Sequence, residues 1–405
     1  MQRKITGRTV QIDRVTSPCP RILALLTLTL WVGCAELPEA SEPCAGPEGT
    51  ICTWIGDGEA GYDGDHHALL ASSLYWPVEI TLRDDGRTWV LDWNNHRVRE
   101  VVDGKLVTVI GNQLGDGPDD LADKTEPGAN GTTVNLNHPT QLVPQADGSL
   151  MLVAWHNHKL RRFNPDTGKV VIACGGGAGF KGDGGPAHDA QLNQPQSIAP
   201  DGAGGYMLLD QRNQVVRQID KNGIIQTVAG TPKTAGFAGD GGDPLQAKFA
   251  FPAGSNPPPG GWITVGADGV VYVSDTLNHR IRRIDFQAHT IDTIAGTGVA
   301  GFGGDGGAAK AAQLNNPRKI VFGPDGRLYV ADELNHRIRV IDMKTGVIST
   351  VAGNGTGAFS GDGGPATSAS LFRPAAVAFS PVGEMIIVDT YNHRIRRVSG
   401  SVGGK

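Results

Sequence analysis

The sequence predicts an all-β fold: a six-bladed β-propeller of four-stranded antiparallel blades, closed by an N-terminal strand that completes the last blade. Three observations carry this. First, an eight-residue message recurs six times. Its clearest copies are Asp275–Arg282, Asp332–Arg339 and Asp389–Arg396, all reading Asp-x-x-Asn-His-Arg-Ile-Arg; weaker copies lie at Asp92–Arg99, Ala154–Arg161 and Asp210–Arg217. From Asn95 through Asn157, Asn213, Asn278 and Asn335 to Asn392 the spacing is 62, 56, 65, 57 and 57 residues, a period that marks a repeat architecture. Secondly, each repeat holds four short stretches rich in Val, Ile and Tyr, joined by turn residues, which is the pattern of a small antiparallel sheet. One such sheet cannot bury its own faces, whereas six packed radially can. Thirdly, the last repeat stops at Lys405 without a fourth strand, and Thr50–Gly56 (TICTWIG) aligns with the fourth strand and glycine of the previous repeat, Val347–Gly353 (VISTVAG). Closing the ring this way leaves no open sheet edge between first and last blades.

The elements of one repeat can be read from the fifth. Gly301-Phe-Gly-Gly-Asp-Gly-Gly307 is a loop, because five glycines in seven positions disfavour helix and strand alike. Ala308–Leu314 allows one helical turn before Asn315-Asn316-Pro317. Strands follow at Lys319–Phe322, Leu328–Ala331, Arg337–Ile341 and Val347–Ala352. They are separated by Gly323–Gly326, by the Asp-x-x-Asn-His turn and by Lys344–Gly346.

These residues resemble the NHL-repeat family. The resemblance rests on Asn-His-Arg-Ile-Arg after an apolar strand ending in Asp, with Gly-Asp-Gly-Gly-Pro-Ala upstream at Gly182–Ala187 and Gly361–Ala366. It covers roughly residues 49–400, and the Gly-Asp-Gly-Gly variant is similar to the NHL propeller of teneurins and of bacterial envelope proteins. The second copy departs from the pattern, with Ala154 for the Asp and no Gly-Asp-Gly-Gly loop; the third has Gln214 for the His. The resemblance implies a six-bladed propeller. It does not imply one activity, since the fold hosts enzymes, adhesion modules and binding platforms.

Residues 1–34 read as a signal peptide. Basic residues precede an eleven-residue apolar run, Ile22–Val32, too short for a permanent span. Val32-Gly33-Cys34 resembles a bacterial lipobox, which implies lipidation of Cys34, although Trp31 stands where Leu is usual. Residues 35–48 are rich in Pro, Gly and Glu and read as a tether. Residues 49–400 form the ring, and 401–405 a tail. Cys44 and Cys52 could bridge in an oxidising envelope and pin the closing strand, or remain free thiols; Cys174 occupies a small core position.

With 58 glycines in 405 residues and a net charge of −5, the chain is turn-rich and lacks the basic balance that nucleic-acid binding requires. The recurring Asp275, Asn278, His279, Asp332, Asn335, His336, Asp389, Asn392 and His393 are expected to be structural, because a side chain repeated at one place in most blades is scaffold. Departures from the repeat are the better guide to function, and they gather on one face, the top. The second repeat is long, with Asp116, Asp119, Asp120 and Asp123 in its loop. The fourth inserts Gly254–Gly261, including Asn256 and three prolines, over the channel mouth. The first three turns carry Trp93-Asn94, Trp155-His156 and Gln211-Arg212, where Trp either contacts a ligand or packs on the next blade.

Two residues after each strand-opening Pro, the channel position reads Glu79, Gln141, Ser197, Gly254, Lys319 and Ala376. Lys319 would pair with Glu79 or repel a cation. The sequence shows no Ser-His-Asp arrangement, nucleophile motif or phosphate loop. It therefore predicts a lipid-anchored, monomeric envelope module, without cofactor, that binds a protein or glycan through Trp93, Trp155, His156, Arg212, Glu79, Lys319 and Asn256. The alternative is a metal-dependent lactonase- or lyase-like enzyme at the top of the channel. A divalent cation there, or in the Asp116–Asp123 loop, is left open; His66, His67 and His138 lie near the same face.

Overall fold

A computed structural model describes residues 44, 46–112, 123–254 and 257–403. Six antiparallel sheets succeed one another along the chain, each running from an inner to an outer strand. Blade 1 comprises Pro77–Leu82, Thr88–Asp92, Arg97–Val102 and Lys105–Ile110. Blade 2 comprises Pro139–Pro144, Leu150–Ala154, Lys159–Asn164 and Lys169–Cys174. Blade 3 comprises Pro195–Pro200, Tyr206–Asp210, Val215–Ile219 and Ile224–Ala229. Blade 4 comprises Trp262–Val265, Val271–Asp275, Arg280–Asp285 and Thr290–Ala295. Blade 5 comprises Pro317–Phe322, Leu328–Asp332, Arg337–Ile341 and Ile348–Ala352. The helical turn expected before its first strand is a three-residue 3₁₀ turn, Ala309–Ala311.

Blade 6 is built from both ends of the chain. Ala376–Phe379, Met385–Asp389 and Arg394–Val398 supply three strands, and Thr50–Ile55 pairs antiparallel with the last of them, Ile51 opposite Val398 and Thr53 opposite Arg396. The backbone of Gly49 and Thr50 bonds Ser399, and Cys44 is joined to Cys52 in a disulfide with 5.9 Å between the Cα atoms.

The apolar residues of each blade meet those of its neighbours, so the core is distributed as six clusters, one per blade interface, among the described residues. Trp89, Leu91, Leu142 and Phe163 fill the space between blades 1 and 2, for example, and Tyr329, Val340, Val377 and Ile387 that between blades 5 and 6. The loop entering each blade wraps back onto that blade's outer strand. Gly185–Pro186 pairs with Ile224–Ala229, and Gly364–Pro365 with the closing strand. Glycine is required in these loops where the backbone passes close: a Cβ on Gly361 would lie 2.6 Å from the Cα of Ala369.

Candidate functional site

The repeated turn is best understood before its exceptions. In blade 5 the Asp332 carboxylate accepts the backbone N–H of Asn315 (2.8 Å) and the Asn335 amide (2.8 Å), and the same amide donates to the Gly301 carbonyl. His336 takes the left-handed conformation, φ 56°, and its Nδ1 accepts the backbone N–H of Arg373, the residue before the strand-opening Pro374 of blade 6. The same bond joins His393 to Trp76, His96 to His138, His158 to Gln194 and His279 to Asn316. In blade 3 Gln214 keeps the function of the missing His, for its Oε1 accepts from Phe251 N and its Nε2 donates to Phe251 O. Each turn thus holds the next blade.

Behind every turn stands a fully buried arginine. Arg339 binds Asp305 of the Gly-Asp-Gly-Gly loop at 2.6 Å and Asp332 at 3.4 Å. Arg217, Arg282 and Arg396 pair with Asp183, Asp240 and Asp362 in the same way, and Arg99 lies 3.7 Å from Asp65. Blade 2 restores the pattern by another route. Arg161 pairs with Asp123 at 3.0 Å, so this member of the acidic loop is engaged by a buried guanidinium and does not stand ready for a cation. With Ala154 in place of the Asp, Asn157 Oδ1 accepts the Asn137 N–H directly. Burial pushes the carboxyls of Asp92, Asp275, Asp332 and Asp389 up to about 6 and that of Asp210 to about 7, against the pull of their Asn, backbone and Arg donors.

Within this frame the top face is unusual across blades 6, 1 and 2. Tyr391 stacks on Trp76 at 5.1 Å, Trp76 lies 6.2 Å from Trp93, and Trp93 packs on His138 at 4.1 Å and Trp155 at 6.1 Å. Arg373 extends the arc on the far side, its guanidinium 4.3 Å above Tyr391 and bonded to Glu333 at 2.8 Å. Trp76 and Tyr391 are half-buried, as is Trp93. His138 and His156 face one another through their Nδ1 atoms at 3.0 Å, and burial lowers the His138 pKa to about 3 and that of His96 to about 4, so both rings are neutral.

Of the two readings open for the tryptophans, Trp155 follows the packing one. It is 0% exposed, and its Nε1 donates to Gln211 Oε1 of blade 3 at 3.1 Å, so it cannot serve as a contact residue. Trp93, His156 and Arg212 are half-buried on the same face. Asn256, Cys34, Asp116, Asp119 and Asp120 lie outside the described residues.

In the channel, Glu79 of blade 1 and Lys319 of blade 5 form an ion pair of 2.5 Å, reaching across the alanines of blade 6. Burial raises the Glu79 pKa and Lys319 opposes it. The blade 4 residue at this level is Trp262, not Gly254. Trp262 pairs with Ser274 as Glu79 pairs with Leu91, because the proline-rich insert bulges out before the inner strand begins. Lys319 Nζ sits 5.3 Å from its ring. Among the described residues, no group of three or more His, Cys, Asp or Glu is placed to hold a metal ion.

Trp76, Trp262, Tyr391 and Arg373 are site residues that the sequence reading missed. Trp76 and Arg373 had a signal: each precedes a strand-opening proline. On the opposite face, a groove of about 890 Å³ lies between blades 2 and 3, lined by Gln145, Asp147, Arg162 and Tyr206.

A closed ring whose blades interlock through an Asp-x-x-Asn-His turn defines the class, a six-bladed propeller of NHL type. The Teneurin NHL domain matches residues 297–357. The chain is 30% identical over 239 residues to Teneurin-1 of Mus musculus, across 54% of this chain and 8% of that protein. It is 29% identical over 276 residues to Protein SUPPRESSOR OF QUENCHING 1, chloroplastic, of Arabidopsis thaliana, across 65% of this chain and 24% of that one. The chain therefore spans a quarter or less of these relatives. Among solved structures, an auxiliary nutrient binding protein from Bacteroides thetaiotaomicron superposes with a TM-score of 0.59 at 15% identity, over 86% of this chain and 76% of that one, a likeness of fold. These matches, with the six-bladed ring, support an NHL-repeat propeller.

Proposed function

We propose that the protein is a binding module of the bacterial cell envelope, anchored through a lipid on Cys34 and carried on the 35–48 tether, which presents the top face over blades 6, 1 and 2 to a glycan or protein partner. One observation carries the reading: the arc Tyr391–Trp76–Trp93–His138, where half-buried rings pack in succession on three consecutive blades. Aromatic side chains present a large contact area at little cost in rotamer entropy and concentrate where partners bind. Where blade 1 has Trp93, blades 4 and 5 carry Thr276 and Glu333, and where blade 6 has Tyr391 they carry Leu277 and Leu334, so the arc departs from the repeat where the scaffold does not require it.

The test has two parts. Binding of envelope glycans and captured envelope proteins should weaken at least tenfold in Trp76→Ala and Trp93→Ala, with melting temperature as the control for folding. Binding that survives both substitutions would remove this face from consideration. For the anchor, labelling with a palmitate analogue should be lost in Cys34→Ser; retained labelling sinks that part.

A further inference from the structure

One cation of the channel mouth has no explanation in the scaffold. Arg318, next to Lys319 on the inner strand of blade 5, is 7% exposed, yet among the described residues none accepts a hydrogen bond from its guanidinium. This sets it apart from the six repeat arginines, all of which have carboxylate partners. The corresponding residues of the other blades are Val78, Thr140, Gln196, Gly261 and Ala375, so no requirement of the fold places a guanidinium here. A guanidinium with no acceptor from the protein is open to an acceptor from a ligand.

The charges acting on Arg318 are those of Glu333, Arg373 and Glu79. All three are already committed, Arg373 and Glu333 to each other and Glu79 to Lys319. Counting the mouth as a unit, Arg318, Lys319 and Arg373 face two carboxylates, leaving one positive charge uncompensated. Further polar groups are orphaned at the same level: Glu79 Oε2, and both amide atoms of Gln196, the blade 3 counterpart of Arg318, have no partner among the described residues. Next to the excess charge is Tyr391, with Arg373 over its ring and Trp76 stacked on it, so that Trp76 is the outer ring of the stack.

We propose that the mouth of the channel between blades 5, 6 and 1 is a binding site for the carboxylate of an acidic sugar, with Arg318 taking the carboxylate and Trp76, backed by Tyr391, the pyranose ring. A guanidinium matches a carboxylate in bidentate geometry. The single excess charge suits a monoanion, and the aromatic platform beside it suits the C–H face of a sugar better than a flexible acidic side chain. This rests on the reading of the top face as a glycan-binding surface, and names the class of glycan.

Calorimetric titration of the full chain with trigalacturonate, its methyl ester and hexaglutamate tests it. Trigalacturonate should bind, and the ester, which keeps the ring and lacks the charge, should bind at least tenfold more weakly. Arg318→Met should weaken trigalacturonate by roughly tenfold or more, the usual effect of losing a charge-assisted hydrogen bond, and leave the ester unchanged. Trp76→Ala should weaken both. Equal binding of ester and acid, or no effect of Arg318→Met, would overturn the carboxylate site while leaving the aromatic face intact. Arg318-dependent binding of hexaglutamate without trigalacturonate would overturn the sugar. Absence of all sugar binding would overturn the inference, and the face would then stand or fall on the capture experiment with Trp76→Ala and Trp93→Ala. The melting temperature of Arg318→Met should be unchanged or higher, since no acceptor loses its donor; a large fall would make Arg318 a brace and overturn its role in binding.

Discussion

Replacing Lys319 with Met isolates the ion pair at the centre of the ring. Glu79 is 2% exposed, Lys319 is 8% exposed, and the charged atoms are 2.5 Å apart. At an effective dielectric of about 20 their attraction is roughly 6–7 kcal/mol, and the desolvation of two ions offsets most of it. Removing the lysine alone takes away the attraction and leaves the desolvation, so Lys319→Met should cost about 3–5 kcal/mol. That corresponds to a melting temperature lower by roughly 4–7 °C in a protein of this size. Burial already raises the Glu79 pKa, and without Lys319 it rises further. A carboxyl whose folded pKa lies above its unfolded value takes up a proton on folding, so its penalty is small near the unfolded pKa and grows as pH rises. The deficit of Lys319→Met should therefore be smaller at pH 5 than at pH 8. The double variant Glu79→Gln/Lys319→Met should recover most of the loss, because no charge is left buried. Urea unfolding followed by tryptophan fluorescence at both pH values measures all of this. Additive single costs, or a deficit that does not change with pH, would refute the description of Glu79 and Lys319 as a mutually dependent buried pair.

Three further outcomes are expected. Asp123→Asn should destabilise by about 3–5 kcal/mol, as Arg339→Met should, because each breaks one of the buried carboxylate–arginine pairs behind the turns; a silent Asp123→Asn in urea unfolding would mean that blade 2 is held otherwise. His336→Gln should retain the bond to Arg373 N, as Gln214 does to Phe251 N, at a cost under about 1 kcal/mol near pH 8. Burial lowers the His336 pKa, so the unfolded chain binds the proton more readily and wild-type stability falls as pH drops below 6.5; the variant's melting temperature should fall less between pH 7.5 and 5.5. Cys52→Ser should lose roughly 2–3 kcal/mol, the entropy of closing an eight-residue separation, and a reducing agent should lower the wild-type melting temperature to the same level.

The ring was legible because its signals repeat. Glycine-bounded apolar stretches recur six times, and the boundaries read for blade 5 differ from the observed strands by at most two residues. The closing strand was visible because TICTWIG completes a blade that the C-terminal end leaves short. Legibility failed where local sequence and local geometry part. Counting from Pro252 selects Gly254 for the channel, but consecutive prolines cannot donate to a ladder, so the inner strand begins at Trp262. Asp123 was hidden because it lacks the flanking glycines of the other loop aspartates, and only its distance to Arg161 shows the equivalence. The burial of Trp155 depends on Gln211, 56 residues away, and no local pattern encodes it. Arg318 differs from its counterparts in the repeat, but its isolation depends on where Glu333 and Glu79 find partners.

Blade 6 also sets an order of events. The strand Thr50–Ile55 is made before every other strand of the ring, and its partner Arg394–Val398 after all the others, so the first-made piece of the ring must wait for the last. Contacts this distant in sequence form late and slowly. Until then the strand is an unmatched edge, open to strangers as well as to its partner. A chain truncated ahead of Arg394 would therefore leave that edge exposed for good, and its failure should appear as aggregation rather than as a slightly smaller ring.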